Sequence, residues 1–151
     1  MSSSARSPSC PTGSSAASEE RVRMAMRAGI DLIEIERIRR ALERPGFRDR
    51  CFTKAEQAYC DSRRNPAESY AARFCGKEAV GKALGCGVRF TWKEIEIVGR
   101  EKPGVTLTGK TLAFAERVGL LDIDVSLTHS HTMAAAVCVA DLERPLRPTP
   151  P

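Results

Sequence analysis

Asp31 stands inside an otherwise apolar run, and a carboxylate there is costly to desolvate unless it meets a cation or a strong donor. Two readings are open: a strand-end aspartate that caps the helix starting near Glu34, or an oxygen ligand. A second group of chemistry-bearing residues lies in RFCGKEAVGKALGCGV (73–88). Arg73 and Lys77 are four apart, as are Glu78 and Lys82, so each pair shares a helix edge. Surface ion pairs would use that spacing, and so would groups turned toward an anion. The stretch ends in Gly85-Cys86-Gly87, where backbone N–H groups can approach a phosphate closely, although a plain helix stop uses the same residues. Asp31, Glu78 and the lysines would together suit many magnesium-dependent phosphoryl transfers, which need hard oxygen ligands and fixed positive charge.

These groups need elements to hold them. AGIDLI (28–33) reads as a buried strand that carries Asp31. In EIERIRRALER (34–44), Ile35, Ile38 and Leu42 recur at helical spacing among several arginines, and Pro45-Gly46 stops the helix. Thr53-Lys54-Ala55-Glu56 has capping-box spacing and opens a short helix to about Cys60. NPAESYAARFCGKEAVGKALG (65–85) is the strongest helix, with Pro66 near its start and Gly85 at its end. Period-two patterning follows in TWKEIEIV (91–98) and GVTLTG (104–109), then a helix in KTLAFAERVG (110–119). DVSLTHS (124–130) and TMAAAVCVA (132–140) read as a terminal strand pair. The order β-α-α-α-β-β-α-β-β, with strands clustered late, predicts an α+β fold with an antiparallel sheet packed against one long helix.

Composition narrows the functions. The chain has 151 residues, 42% of them hydrophobic and 28% charged, which suits one soluble domain of 27–142. Residues 1–26 read as a disordered Ser-rich tail and 143–151 as a Pro-rich one. No apolar run reaches the length of a membrane span, and no signal-peptide core is visible. The six cysteines are scattered without a CxxC pair, and His129 and His131 are the only histidines, so a zinc site is not expected. Reduced, buried thiols in a cytoplasmic protein are expected instead. The net charge of +5 points to an anionic partner. His129 by itself reads as a structural strand residue, and Trp92 as core.

Four blocks in order resemble the holo-acyl-carrier-protein synthases, the small 4'-phosphopantetheinyl transferases. They are GIDLIEIERI (29–38), RCFTKAE (50–56), AARFCGKEAVGKALGCGV (71–88) and VSLTHS with AAAVCV (125–138). The FxxKEAxxKAxG core is present as Phe74, Lys77, Glu78, Ala79, Lys82, Ala83 and Gly85. The resemblance implies transfer of phosphopantetheine from coenzyme A to a serine of an acyl carrier protein. That carrier would be of the fatty-acid, polyketide or peptide-synthetase kind. Asp31 and Glu78 match the carboxylates that hold Mg²⁺ in the family. Arg73, Lys77 and Lys82 match positions that embrace the coenzyme A phosphates. Gly85 and Gly87 match the loop beside the nucleotide, Thr128 and His129 the strand lining the same site, and Pro103 a proline near the adenine. Glu78, directly or through water, is the expected acceptor of the serine proton. Arg37 matches a position that meets the carrier, and Arg40 and Arg44 extend that side. The family's small members form homotrimers with active sites between subunits.

The sequence departs from the family pattern at Gly81, at Cys86, where a threonine is common, and at Glu101 before the Lys102-Pro103 step. None of these touches the two carboxylates or the lysines. Two rival readings share these residue types. A basic nucleic-acid-binding protein fits the charge, but aromatics are only 5% and no basic run interleaves with them. Another magnesium phosphoryl-transfer enzyme, such as a nuclease or nucleotide hydrolase, fits the residue types. It does not explain four blocks in family order.

Overall fold

The structure, a computed structural model, describes residues 25–86 and 90–143. Gly87 and most of both expected tails therefore lie outside the described residues. The first strand, β1 (Ala25–Glu34), is ten residues long and begins two residues inside the expected N-terminal tail. It runs into α1 (Ile35–Leu42), which buries Ile35 and Ile38 as their spacing predicts. Gly46 then takes a left-handed conformation (φ 78°) and admits a five-residue helix, α2 (Phe47–Cys51), which the sequence pattern had not revealed. Among the described residues there are thus four α-helices, not three, before the second strand.

Thr53 and Glu56 form the anticipated capping box at the start of α3 (Lys54–Asp61). The Thr53 amide donates to Glu56 Oε2 at 2.8 Å, and the Glu56 amide donates to Thr53 Oγ1 at 3.2 Å. The long helix α4 (Pro66–Leu84) has Pro66 in its first turn and ends at Gly85, with φ 80°. A 3-10 turn (Trp92–Glu94) replaces the first half of the expected 91–98 strand. The remainder is β2 (Ile95–Val98), paired antiparallel with β3 (Gly104–Leu107). Helix α5 (Gly109–Arg117) then leads to β4 (Leu120–His129) and β5 (Met133–Leu142).

Strands β1, β5 and β4 form one antiparallel sheet with β5 in the middle. Helix α4 lies across one face of it and is buried on most of its sides. This works because its sheet-facing residues are small: Cys75, Gly76, Ala79 and Ala83 let the strands come close. Gly29 in β1 is the tightest point. A β-carbon there would overlap the Ala79 carbonyl oxygen and lie 2.6 Å from the Ala83 amide nitrogen. The odd residues of β1 face α4, so Asp31, two residues beyond Gly29, lands on the same side. The even residues Met26, Ile30 and Leu32 point away from α4 and are exposed, as is Val137 opposite Ile30 on β5.

Candidate active site

The close seating of β1 on α4 brings Asp31 to the last turns of that helix. There Lys82 Nζ donates to Asp31 Oδ1 at 2.9 Å and to the Ile30 carbonyl at 2.8 Å. Lys82 thus reaches across to the strand; the sequence had placed it beside Glu78 on its own helix edge. The Lys82 side chain is 47% exposed and the Asp31 side chain 16%, so the pair opens to solvent. Glu78, one turn back and partly buried, completes the cluster. Burial, and then the neighbouring Asp31 charge, push the Glu78 carboxyl above its usual range, while Lys82 pulls the other way. The sequence left a cap and a ligand open for Asp31. Its carboxylate is turned to Lys82, and α1 receives no side-chain cap.

Two hard carboxylates side by side are a donor set that Mg²⁺ accepts, since this ion takes one or two carboxylates and completes its shell with waters and substrate phosphates. Among the described residues no group of three or more His, Cys, Asp or Glu converges on a metal position. Among the described residues, Asp31 and Glu78 are the carboxylates that could hold such an ion. Directly beneath them is Cys75, a fully buried thiol whose pKa is pushed up to about 12, chiefly by burial. Cys60 and Cys138 are likewise held near 12, so these thiols are neutral packing groups, as expected.

Lys77 corrects the sequence reading. It does not face the carboxylate pair but is wholly buried, with its ammonium 2.7 Å from Glu56 Oε2. It also donates to the carbonyls of Trp92 (2.9 Å) and Ile95 (2.6 Å). Glu56 is equally sealed and accepts the Ile97 amide at 3.0 Å. Burial pulls the Lys77 ammonium below the ordinary lysine range, and the Glu56 carboxylate opposes that shift. Every donor is spent inside the protein, so Lys77 ties α4 to α3 and β2 and has none left for a phosphate. The physical reason is helical rotation. Position 77 looks away from the sheet toward the β2 layer, while positions 78 and 82 look toward Asp31.

The other anticipated residues fall elsewhere in the fold. Arg73 is buried, with its guanidinium 3.7 Å from the Tyr59 ring centre and one nitrogen donating to the Gly99 carbonyl at 3.4 Å. It lines a cleft of about 380 Å³ with Tyr59, Ser62 and Arg100, beside the β2–β3 turn that carries Pro103. Thr128 and His129 end β4, both exposed. His129 lines a cleft of about 670 Å³ with Arg63, Arg64, Asn65, Glu68 and His131, at the N-terminus of α4. The sequence reading had missed Arg63, Arg64 and His131; the arginine doublet just before Asn65-Pro66 was the available signal. Gly85 closes α4 beside Arg27, whose guanidinium donates to the Leu84 carbonyl at 3.5 Å. Arg37, Arg40 and Arg44 lie exposed on and just after α1, with Arg40 and Arg39 each 3.1 Å from Glu36.

A strand aspartate meeting a helix Glu and Lys, with basic clefts elsewhere along the same helix, is an arrangement that suits phosphates. Comparison with known proteins makes the class specific. The 4'-phosphopantetheinyl transferase superfamily matches residues 27–138. A holo-[acyl-carrier-protein] synthase of Moorella thermoacetica is 46% identical over 120 residues, which is 77% of this chain and 94% of the relative. A coenzyme A complex of the Chronobacterium ammoniagenes synthase has a TM-score of 0.72 at 26% identity, covering 80% of this chain and 99% of that one. The Bacillus anthracis synthase in complex with CoA (3',5'-ADP) gives 0.64 at 28% identity over 78% and 99%. The chain belongs to the 4'-phosphopantetheinyl transferase superfamily and, within it, to the holo-[acyl-carrier-protein] synthases, a family of enzymes. The α+β architecture with one long central helix is the fold of these structural neighbours.

Proposed function

We propose that this enzyme moves 4'-phosphopantetheine from coenzyme A to a serine of an apo acyl carrier protein, with Mg²⁺, and releases adenosine 3',5'-bisphosphate. The observation that carries this reading is the meeting of Asp31 from β1 with Lys82 and Glu78 from α4. The serine oxygen bonds to the phosphorus that bears pantetheine, and the bond from that phosphorus to the adenosine bisphosphate breaks. Glu78, directly or through a water, takes the serine proton, and its place beside Asp31 and Lys82 puts it within the same cluster. Asp31 and Glu78 would hold the cation, which when bound would offset charge on the pyrophosphate oxygens. Lys82 supplies a further positive charge from a stem free to move.

Several other features support the reading. The cleft lined by Arg63, Arg64, His129 and His131, with Glu68, at the start of α4 suits a phosphate of coenzyme A, because basic side chains outnumber the one carboxylate in its lining. Gly85, Arg73 and Pro103 are assigned to the nucleotide side by family position. Arg37, Arg40 and Arg44 present positive charge to an acidic carrier, which speeds encounter and sets orientation. The uncovered row of Met26, Ile30, Leu32 and Val137 calls for a partner, and a second copy of the chain in the family's homotrimer would supply one. No helix among the described residues is long and apolar enough to cross a membrane.

The test is intact mass spectrometry of an apo carrier incubated with the protein, coenzyme A and Mg²⁺. A carrier that gains the mass of phosphopantetheine, and fails to do so with EDTA, supports the proposal. No gain with fatty-acid, polyketide or peptide-synthetase carriers refutes it.

A further inference from the structure

The Lys82–Asp31 contact bears on how the metal enters. One Asp31 oxygen is already paired with an ammonium at 2.9 Å, and that positive charge opposes a cation at either oxygen. The same ammonium is steadied by only one neutral acceptor, the Ile30 carbonyl. Its side chain is about half exposed, so it can swing on its four-carbon stem without opening a cavity. Lys77, five residues earlier, has no such freedom. With only two protein carboxylates on offer, a lone divalent cation gains few ligands and must displace or tolerate Lys82. Coenzyme A changes both terms: its phosphates attract the ammonium more strongly than a carbonyl does, and they supply oxygen ligands.

Resting on the function proposed above, we infer that Lys82 is a built-in counter-ion that guards Asp31 until coenzyme A phosphates draw it away, so that divalent cation and coenzyme A bind as a coupled pair. The free protein then holds a divalent cation poorly, and each of the two ligands raises the affinity for the other by the same factor.

Mn²⁺ is the probe, with free ion followed by electron paramagnetic resonance, and Mn²⁺ association with coenzyme A alone measured separately. Wild type binds Mn²⁺ weakly by itself and at least tenfold more tightly with coenzyme A. Without coenzyme A, Lys82→Met gains on the order of tenfold in Mn²⁺ affinity, as removal of a unit charge a few ångströms away requires. Lys82→Arg keeps the charge and stays weak, and Asp31→Asn cancels the gain of Lys82→Met. Because Lys82 is exposed, Lys82→Met keeps the fold, and Mn²⁺ raises its melting temperature more than that of wild type. A Lys82→Met protein with unchanged Mn²⁺ affinity overturns the inference. So does wild type that binds Mn²⁺ equally well with and without coenzyme A. The carrier mass assay is a separate readout. Coupling without transfer would sink only the proposed function, and transfer without coupling would sink only this inference.

Discussion

Helix α4 carries two lysines five residues apart, each paired with a carboxylate from elsewhere in the chain, and the pairs do opposite jobs. Lys77 and Glu56 are sealed from water, and their remaining hydrogen-bonding capacity goes to the Thr53 and Ile97 amides and the Trp92 and Ile95 carbonyls. Lys82 and Asp31 meet at the rim, where the ammonium keeps one weak neutral partner and open solvent. The lesson is that residue type does not make a lysine a phosphate ligand. What matters is whether its charge can be withdrawn from its partner at small cost. In the interior that cost is the desolvation of an orphaned carboxylate; at the rim, water meets most of it.

The contrast can be broken most forcefully at its buried end. Lys77→Met leaves Glu56 buried without its cation and should cost about 3–5 kcal/mol of stability. Adding Glu56→Gln should recover part of the loss, and urea denaturation of the four proteins of that cycle measures it. Lys82→Met, by comparison, should shift stability by less than about 1 kcal/mol. Equal losses at the two lysines would show that burial does not separate them.

At the exposed end, Asp31→Asn should lower carrier modification at least a hundredfold, about 2.7 kcal/mol of transition-state stabilisation, with an unchanged far-UV spectrum. Steady-state turnover with a purified apo carrier checks this, and a fully active variant would remove Asp31 from the site. A smaller effect belongs to α1. Charge reversal at Arg37 and Arg40 should raise the carrier KM by about tenfold and leave coenzyme A affinity nearly unchanged. An unchanged carrier KM would make those arginines a solvated face.

The smallest expected effect concerns Glu78. Its carboxyl is held above the usual range, so the folded protein favours the protonated form, and stability is lost as pH rises through that range. Glu78→Gln should therefore melt slightly higher than wild type at neutral pH without metal, by no more than about 3 °C, with the gap closing in acid. A lower melting temperature at neutral pH would mean that the ionised Glu78 stabilises the apo fold.

Much of the site was legible because its residues sit in short local patterns. The period of the apolar residues placed β1 and α4, the capping box placed α3, and Gly85 marked the end of α4. The α2 helix was hidden because five residues show too little periodicity to see. The role of Glu56 was half visible: its cap contact is local, whereas its grip on Lys77 and the Ile97 amide spans long separations in the chain. The arginine doublet at 63–64 looked like a solvated stretch until β4 delivered His129 beside it.

By itself, then, the sequence determined the element types, the family blocks and the candidates Asp31, Glu78 and Lys82, because helix periodicity and motif spacing act over a few residues. Only the tertiary structure decided which lysine is free and which is locked. That depends on the rotation of α4 between the sheet and the β2 layer, and Gly29 sets the distance of its approach to β1. A contact 51 residues apart in the chain, Lys82 to Asp31, exists because that approach is close enough for an ammonium to span it.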